Sequence, residues 1–169
     1  ALKKRLRRLA YHIRFNEHSI IRPLATRAEH LDGLGASFCI IDESHAHPTR
    51  ELYNIINSGM KARKEPLLLE ISTAGFRKDY PFYDQLEQAK SVLDGDEHQD
   101  NTLYMLYTLD DEKEIEQPEM WVKSNPSLGH IVNIDDLKDK YNKSKKIQTD
   151  FDSFIIKQLN FYKDVAETW

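Results

Sequence analysis

The sequence predicts an α/β protein, with a parallel sheet flanked by helices and then a small helical subdomain. Three observations carry that prediction. Two short apolar runs, residues 38–41 and 67–69, are separated by one stretch of helical spacing. A strand, helix, strand unit of that kind is parallel and right-handed. Both runs lead into polar residues at the strand ends, Asp42-Glu43 after the first and Ser72-Thr73 after the second. Beyond residue 110 the composition shifts to an acidic loop and then to mostly helical patterns. The expected division is therefore a sheet-bearing part, 1–110, and a helical part, 111–169.

The composition narrows the class. The chain has 169 residues, enough for one sizeable core, and a net charge of −4. Its mean hydropathy is −0.66, and no apolar run approaches the roughly 20 residues of a membrane span. No membrane partner is expected. The basic start, Lys3-Lys4-Arg5, is not followed by the apolar stretch of a signal peptide. The single cysteine, Cys39, excludes an internal disulfide and reads as a small core residue.

The elements follow in order. Leu2, Leu6, Leu9 and Ile13 stand at helical spacing with Lys and Arg between them, which predicts an amphipathic basic helix over 2–13. Its charges form either a solvated face or a DNA contact. The pattern has no start signal, so the chain is expected to continue upstream. Residues 18–26 read as a short strand that Pro23 confines to an edge. Gly33 and Gly35 make a turn before residues 38–41, a strand expected to be buried on both faces. Pro48 opens a helix to about Arg63, with Leu52, Ile55, Ile56 and Met60 on one face. Residues 67–71 form the next strand. Pro81 opens another helix with Phe82, Leu86, Ala89, Val92 and Leu93 inward and Gly95 as its C-cap. Residues 102–108 read as a third strand. A helix is expected from Asp135 to about Lys146, burying Leu137 and Tyr141. The last starts near Thr149 with a Thr149…Asp152 capping box and buries Phe151, Phe154, Ile155 and Leu159.

The chemistry gathers at the strand ends. Ligands of an open parallel sheet sit just beyond the carboxyl ends of its strands, where Asp42 and Glu43 stand. Neighbouring strand residues point opposite ways, so one carboxylate can hold a metal while the other faces a different group. This is the Walker B pattern of P-loop nucleotidases, with Asp42 for Mg²⁺ and Glu43 to polarise the attacking water. The plainer reading is a pair of acidic turn residues. The hydroxyls of Ser72 and Thr73 fall at the same sheet edge, where a phosphate sensor would sit; the plainer reading is a glycine-containing loop. His45 and His47 have metal-ligand spacing beside Asp42 and Glu43, but no further cluster completes such a site.

The order of parts from Leu31-Asp32-Gly33-Leu34 through Asp42-Glu43, His45-Ala46-His47, Thr49-Arg50-Glu51-Leu52-Tyr53 and Ser58-Gly59-Met60 to Ser72-Thr73-Ala74-Gly75 resembles the large subunit of tailed-bacteriophage terminases. Trp121, Lys123, Asn125-Pro126, Leu128-Gly129 and Leu159-Asn160 extend the resemblance, more weakly, along nearly the whole chain. It implies a partial P-loop NTPase-type sheet in a motor that uses ATP and Mg²⁺ to package double-stranded DNA into a procapsid. Asp42 would then be the metal ligand and Glu43 the catalytic base. Ser72, Thr73 and Ala74 would be the coupling motif. Arg27 would be an arginine acting on a neighbouring subunit's ATP, against a plain surface arginine. The implied partners are double-stranded DNA held through its phosphates, the portal protein, the terminase small subunit and further copies in a ring. The implied setting is the bacterial host cytoplasm.

Two departures qualify this. No Gly-x-x-x-x-Gly-Lys-Ser/Thr occurs in the sequence, and in the family that Walker A loop lies upstream. The nuclease domain of the intact endonuclease would lie downstream. Alone, the chain is expected to bind ATP poorly and not to cut DNA. Three alternatives stand beside the resemblance. Asp42-Glu43-Ser44-His45 with Ser72-Thr73-Ala74 fits a DExH helicase ATPase. Asp42, Glu43, His45 and His47 fit a metal-dependent hydrolase. The third is a non-catalytic interaction piece.

Overall fold

The computed structural model describes residues 6–16, 18–24, 31 and 34–163. Arg27 and the Asp32-Gly33 part of the predicted turn lie outside them. The chain divides into two compact units. One holds the residues up to Cys39 together with Glu51–Leu68, and the other Ile40–Arg50 together with everything from Leu69.

The first unit opens on a three-stranded antiparallel ribbon, β1 (Arg7–Arg8), β2 (Ile13–Arg14) and β3 (Ile20–Ile21). Over 6–13 this corrects the amphipathic helix expected for 2–13; residues 2–5 lie outside the described residues. The Leu9 N–H donates to the His12 carbonyl at 2.9 Å, closing a tight turn. Arg8 then lies opposite Ile13, and Arg14 opposite Ile20. All six strand residues are exposed, so helical spacing of leucines here had no face to bury. The expected strand over 18–26 shrinks to β3 and stops before Pro23.

Helix α1 (Glu51–Met60) buries Ile56 and Met60. Pro48 precedes it by three residues, in the loop rather than in the first turn. Gly59 is there for close approach: a Cβ on it would lie 2.4 Å from the Leu34 carbonyl oxygen. The Arg63 guanidinium, through Nε at 2.7 Å and also Nη2, donates to the Gly35 carbonyl. These contacts pin the segment that leads into the sheet.

Strands β4 (Phe38–Asp42) and β5 (Leu67–Ile71) form the parallel pair that the sequence predicts. Their burial corrects one expectation. Cys39 and Ile41 are buried, but Phe38 and Ile40 are half exposed, and so are Leu67, Leu69 and Ile71. Among the described residues no layer covers that face. The expected third strand is also absent from the described residues. Segment 102–108 forms no regular element and its exposure alternates, with Leu103, Met105 and Tyr107 outward. Without a neighbouring strand it has nothing to complete its ladder.

The second unit carries most of the core. Helix α2 (Pro81–Asp94) starts on its proline and ends at Gly95, whose φ of 88° is the left-handed C-cap the sequence predicts. Ala89 is buried, but Leu93 faces solvent rather than inward. Two 3₁₀ segments, Glu112–Glu116 and Pro118–Lys123, bring in Ile115 and Trp121. Helix α3 (Ile134–Ser144) is capped by the Asn133 side chain and buries Leu137 and Tyr141. Helix α4 (Gln148–Gln158) buries Phe154, Ile155 and Ile156. These elements close around Trp121, which is fully buried. Its indole packs edge-on against Tyr141 and Phe154, and its N–H donates to the Ile115 carbonyl at 3.1 Å. The predicted capping box does not form. Asp152 is buried and instead accepts from Gln148 Nε2 at 2.9 Å and pairs with Lys163 at 3.2 Å.

Candidate functional site

Asp42 ends β4, and its Oδ1 accepts the Glu43 N–H at 3.0 Å. The chain then turns sharply. Glu43 adopts φ 54° and ψ 44°, left-handed backbone that costs a non-glycine residue about 1–2 kcal/mol. Only one other non-glycine residue does this among the described residues, Asn160. Such strain persists where the surroundings over-determine it, often at functional sites. Here the surroundings are the 3₁₀ turn Ser44–Ala46, closed by the Ala46 N–H on the Glu43 carbonyl at 2.8 Å.

That turn aims His45 at the end of β5. The His45 N–H donates to Ser72 Oγ at 2.9 Å, and its ring Nδ1 stands 3.0 Å from the same oxygen. Ser72 directs its hydroxyl proton to the Thr73 carbonyl at 3.2 Å. A proton on Nδ1 would let the ring donate to this oxygen, and the opposite tautomer would let it accept from the hydroxyl. The same Nδ1 lies 3.3 Å from Glu43 Oε2. One imidazole thus spans the two motifs, with the Glu43 carboxylate largely in solvent and the ring largely covered.

Below this bridge sits Glu70, half-buried on β5. Its carboxylate accepts from Gln85 Nε2 at 2.8 Å and from Ser44 Oγ at 3.4 Å. The loop after β5 is held in turn. The Ala74 N–H donates to Asn160 Oδ1 at 2.6 Å. The Gly75 backbone hydrogen-bonds the Tyr162 hydroxyl, and burial pushes that phenol above its usual range despite the bond. Gly75 sits in a tight space. A Cβ there would meet His45 Cβ at 3.2 Å and the Tyr162 hydroxyl at 3.3 Å.

Of the residues singled out in the sequence, Asp42, Glu43, Ser72, Thr73 and Ala74 share this corner. Arg27 lies outside the described residues. The metal-dependent hydrolase alternative needs Asp42, Glu43, His45 and His47 to converge. Among the described residues no three His, Cys, Asp or Glu side chains converge as a metal site. His45 is instead the link between the acid pair and the hydroxyl loop. Glu70, Gln85, Asn160 and Tyr162 were not foreseen. Asn160 carried one usable signal, since Asn tolerates left-handed backbone. For Mg²⁺, Asp42 offers a carboxylate at a strand end with Oδ2 not used by Glu43, which fits an ion that takes one or two carboxylates and keeps its waters. For ATP, the chain supplies no phosphate-cradling loop.

Comparison with known proteins places these features. The family model for the terminase large subunit ATPase domain matches residues 7–91. The model for the terminase large subunit endonuclease domain matches residues 96–169, which include the helical part expected over 111–169. Protein YmfN of Escherichia coli (strain K12) is 30% identical over 138 residues, which is 82% of this chain and 30% of that protein. The chain thus spans less than a third of the relative's length. No solved structure matches. The chain belongs to the terminase large subunit family.

Proposed function

We propose that this chain carries the water-activating and coupling half of an ATP-driven motor that packages double-stranded DNA. The observation that carries the reading is the bridge from Glu43 through His45 to Ser72. A general base must hold its carboxylate where a water can be deprotonated, and a coupling loop must register the result. Here His45 Nδ1 lies 3.3 Å from the Glu43 carboxylate and 3.0 Å from Ser72 Oγ. Family membership supports the same assignment.

In this reading Glu43 accepts the proton of the attacking water. A proton on His45 Nδ1 restrains its carboxylate to one side and leaves the other oxygen for the water. Asp42 would hold Mg²⁺, which neutralises charge on the phosphates when bound. Ser72, Thr73 and Ala74 form the coupling loop. The P-loop NTPase-type sheet, the phosphate-cradling loop and the ATP itself belong to the full-length protein. So do the portal protein, the small subunit, a ring of copies, and Arg27 reaching a neighbour's ATP. DNA is gripped through its phosphates, without base readout. Endonuclease activity is proposed for the full-length protein on the match over 96–169. The setting is the host bacterial cytoplasm.

A DExH helicase is the second reading, favoured by the direct contact between His45 and Ser72. A packaging assay against a strand-separation assay distinguishes the two. The deciding experiment for the site is ATP turnover by the full-length protein and by its Glu43→Gln variant. The variant is expected to lose about 10²–10⁴-fold in kcat, the usual worth of a general base, while still binding nucleotide. Unchanged turnover removes Glu43 from the role.

A further inference from the structure

A loop that registers phosphate loss moves nothing unless it is tied to a rigid element. The loop after β5 has such a tie at Asn160. Asn160 Oδ1 accepts the Ala74 amide at 2.6 Å, across 86 positions of sequence. Its Nδ2 donates to the Tyr107 carbonyl at 2.7 Å, across 53. Its own carbonyl accepts from Thr108 Oγ1 at 2.8 Å. One residue therefore joins the coupling loop, the 107–108 segment and the end of α4. The amide suits this because its oxygen accepts while its NH₂ donates.

The attachment on the α4 side is stiff. Leu159, just before Asn160, is fully buried, as are Ile155 and Ile156 one turn earlier. Close-packed side chains transmit displacement rather than absorb it. Asn160 itself sits at φ 49°, a left-handed conformation held by these three bonds. A second clasp follows two residues on. Tyr162 takes the Gly75 backbone with its hydroxyl and packs edge-on against Tyr83 of α2 at 5.2 Å.

We infer that Asn160 is the output latch of the coupling loop, a positioning residue through which rearrangement of Ser72–Ala74 reaches α4. The inference rests on the reading of Ser72, Thr73 and Ala74 as that loop. The hydrogen bonds of Asn160 run to Ala74, Tyr107 and Thr108, not to Asp42 or Glu43, so its loss should separate hydrolysis from movement.

Two variants of the full-length protein test this. Asn160→Gly keeps the left-handed backbone and removes all side-chain bonds. Asn160→Asp keeps the acceptor for the Ala74 N–H and loses the donor to Tyr107. Both are expected to hydrolyse ATP within about twofold of wild type while base pairs packaged per ATP fall about tenfold, an ordinary coupling loss. Hydrogen exchange at the Ala74 amide should quicken in Asn160→Gly and stay slow in Asn160→Asp. If Asn160→Gly fails to fold, Asn160→Asp carries the test through its packaging yield per ATP. Hydrolysis and packaging falling in step would make Asn160 a structural cap and overturn the latch. Wild-type packaging per ATP in both variants would overturn it too. A full-length wild type without ATPase activity, or a fully active Glu43→Gln, would instead reject the functional reading and the latch with it.

Discussion

The Trp121 cluster and the Glu43 corner belong to the same unit but are held by different forces. Around Trp121 the contacts are apolar and aromatic, the side chains are sealed from water, and the indole N–H has its acceptor. At Glu43 the contacts are hydrogen bonds between residues distant in sequence, the carboxylate is in solvent, and the backbone is strained. The difference teaches where each property resides. Apolar burial is concentrated around Trp121, and the proposed chemistry sits on a solvent-facing, hydrogen-bonded corner. Separate substitutions should therefore remove one without the other.

The largest effect is expected in the core. Trp121→Ala removes two edge-on ring contacts at once and leaves the Ile115 carbonyl without its donor. The cost should be about 3–5 kcal/mol, a large share of a typical domain's total. Urea unfolding followed by circular dichroism measures it. A loss under about 1 kcal/mol would mean the cluster collapses around the gap and is less rigid than its packing implies.

Glu43→Gly should act in the opposite direction. It relieves left-handed strain of about 1–2 kcal/mol and adds about 0.5–1 kcal/mol of chain entropy to be lost on folding. The net is a gain of about 0.5–1 kcal/mol in unfolding free energy, with ATP turnover of the full-length protein lost. That combination is the signature of strain kept for function. A destabilised variant would show that the contact from Glu43 to His45 outweighs the strain, which would make the corner structural as the core is.

How much of this could be read from the sequence follows the same division. Local chemistry was legible. Pro81 and Gly95 bound α2, residues 67–71 are β5, and Leu137, Tyr141, Phe154, Ile155 and Leu159 are buried as their spacing implies. The acid pair and the hydroxyl loop were legible because strand ends collect ligands in parallel sheets. What failed depended on partners far along the chain. Leucine spacing over 2–13 could not reveal that Ile13 would pair with Arg8 and Ile21. Residues 102–108 have strand composition, but a strand is defined by its neighbour, and the apolar letters of β4 do not say that Phe38 and Ile40 face outward. His45 was legible as a ligand type and not as a bridge, because its partner Ser72 is 27 positions away. Asp152 was taken for a cap since its spacing from Thr149 fits one. It is buried on α4 instead, paired with Lys163.

A smaller effect sharpens the comparison on the sheet. Ile40 is 49% exposed although it lies one residue from buried Ile41. Ile40→Thr should change stability by no more than about 0.5 kcal/mol, as surface substitutions usually do. Ile155→Ala, a similar loss of apolar atoms at a fully buried position, should cost about 2–5 kcal/mol. Thermal melts of the two variants side by side make the test. Equal losses would show that the outer face of the β4–β5 pair is covered in solution.

The smallest effect concerns a charge cluster at the rim of the core. Lys123 Nζ donates to Asp110 Oδ2 at 2.6 Å and also to Glu114 Oε1. Glu114 Oε2 accepts the Asp110 N–H at 2.9 Å. The Lys123 ammonium, and after it that backbone bond, hold the Glu114 carboxyl below the usual range, while Asp110 and then Glu114 raise Lys123. The signs follow from linkage. A carboxyl lowered in the folded state contributes stability that is complete above the ordinary glutamate value and lost as pH falls through the lowered one. A raised lysine contributes stability that is complete below the ordinary lysine value and lost as pH rises through the raised one. Both contributions are therefore present at neutral pH. Glu114→Gln keeps an acceptor for the Asp110 N–H and removes only the charge. The melting temperature of wild type should exceed that of the variant by a small constant margin at neutral pH, and the margin should close under acid. A margin that persists unchanged through the acid range would show that Glu114 acts by packing. It would then belong with Trp121 rather than with the solvent-facing groups.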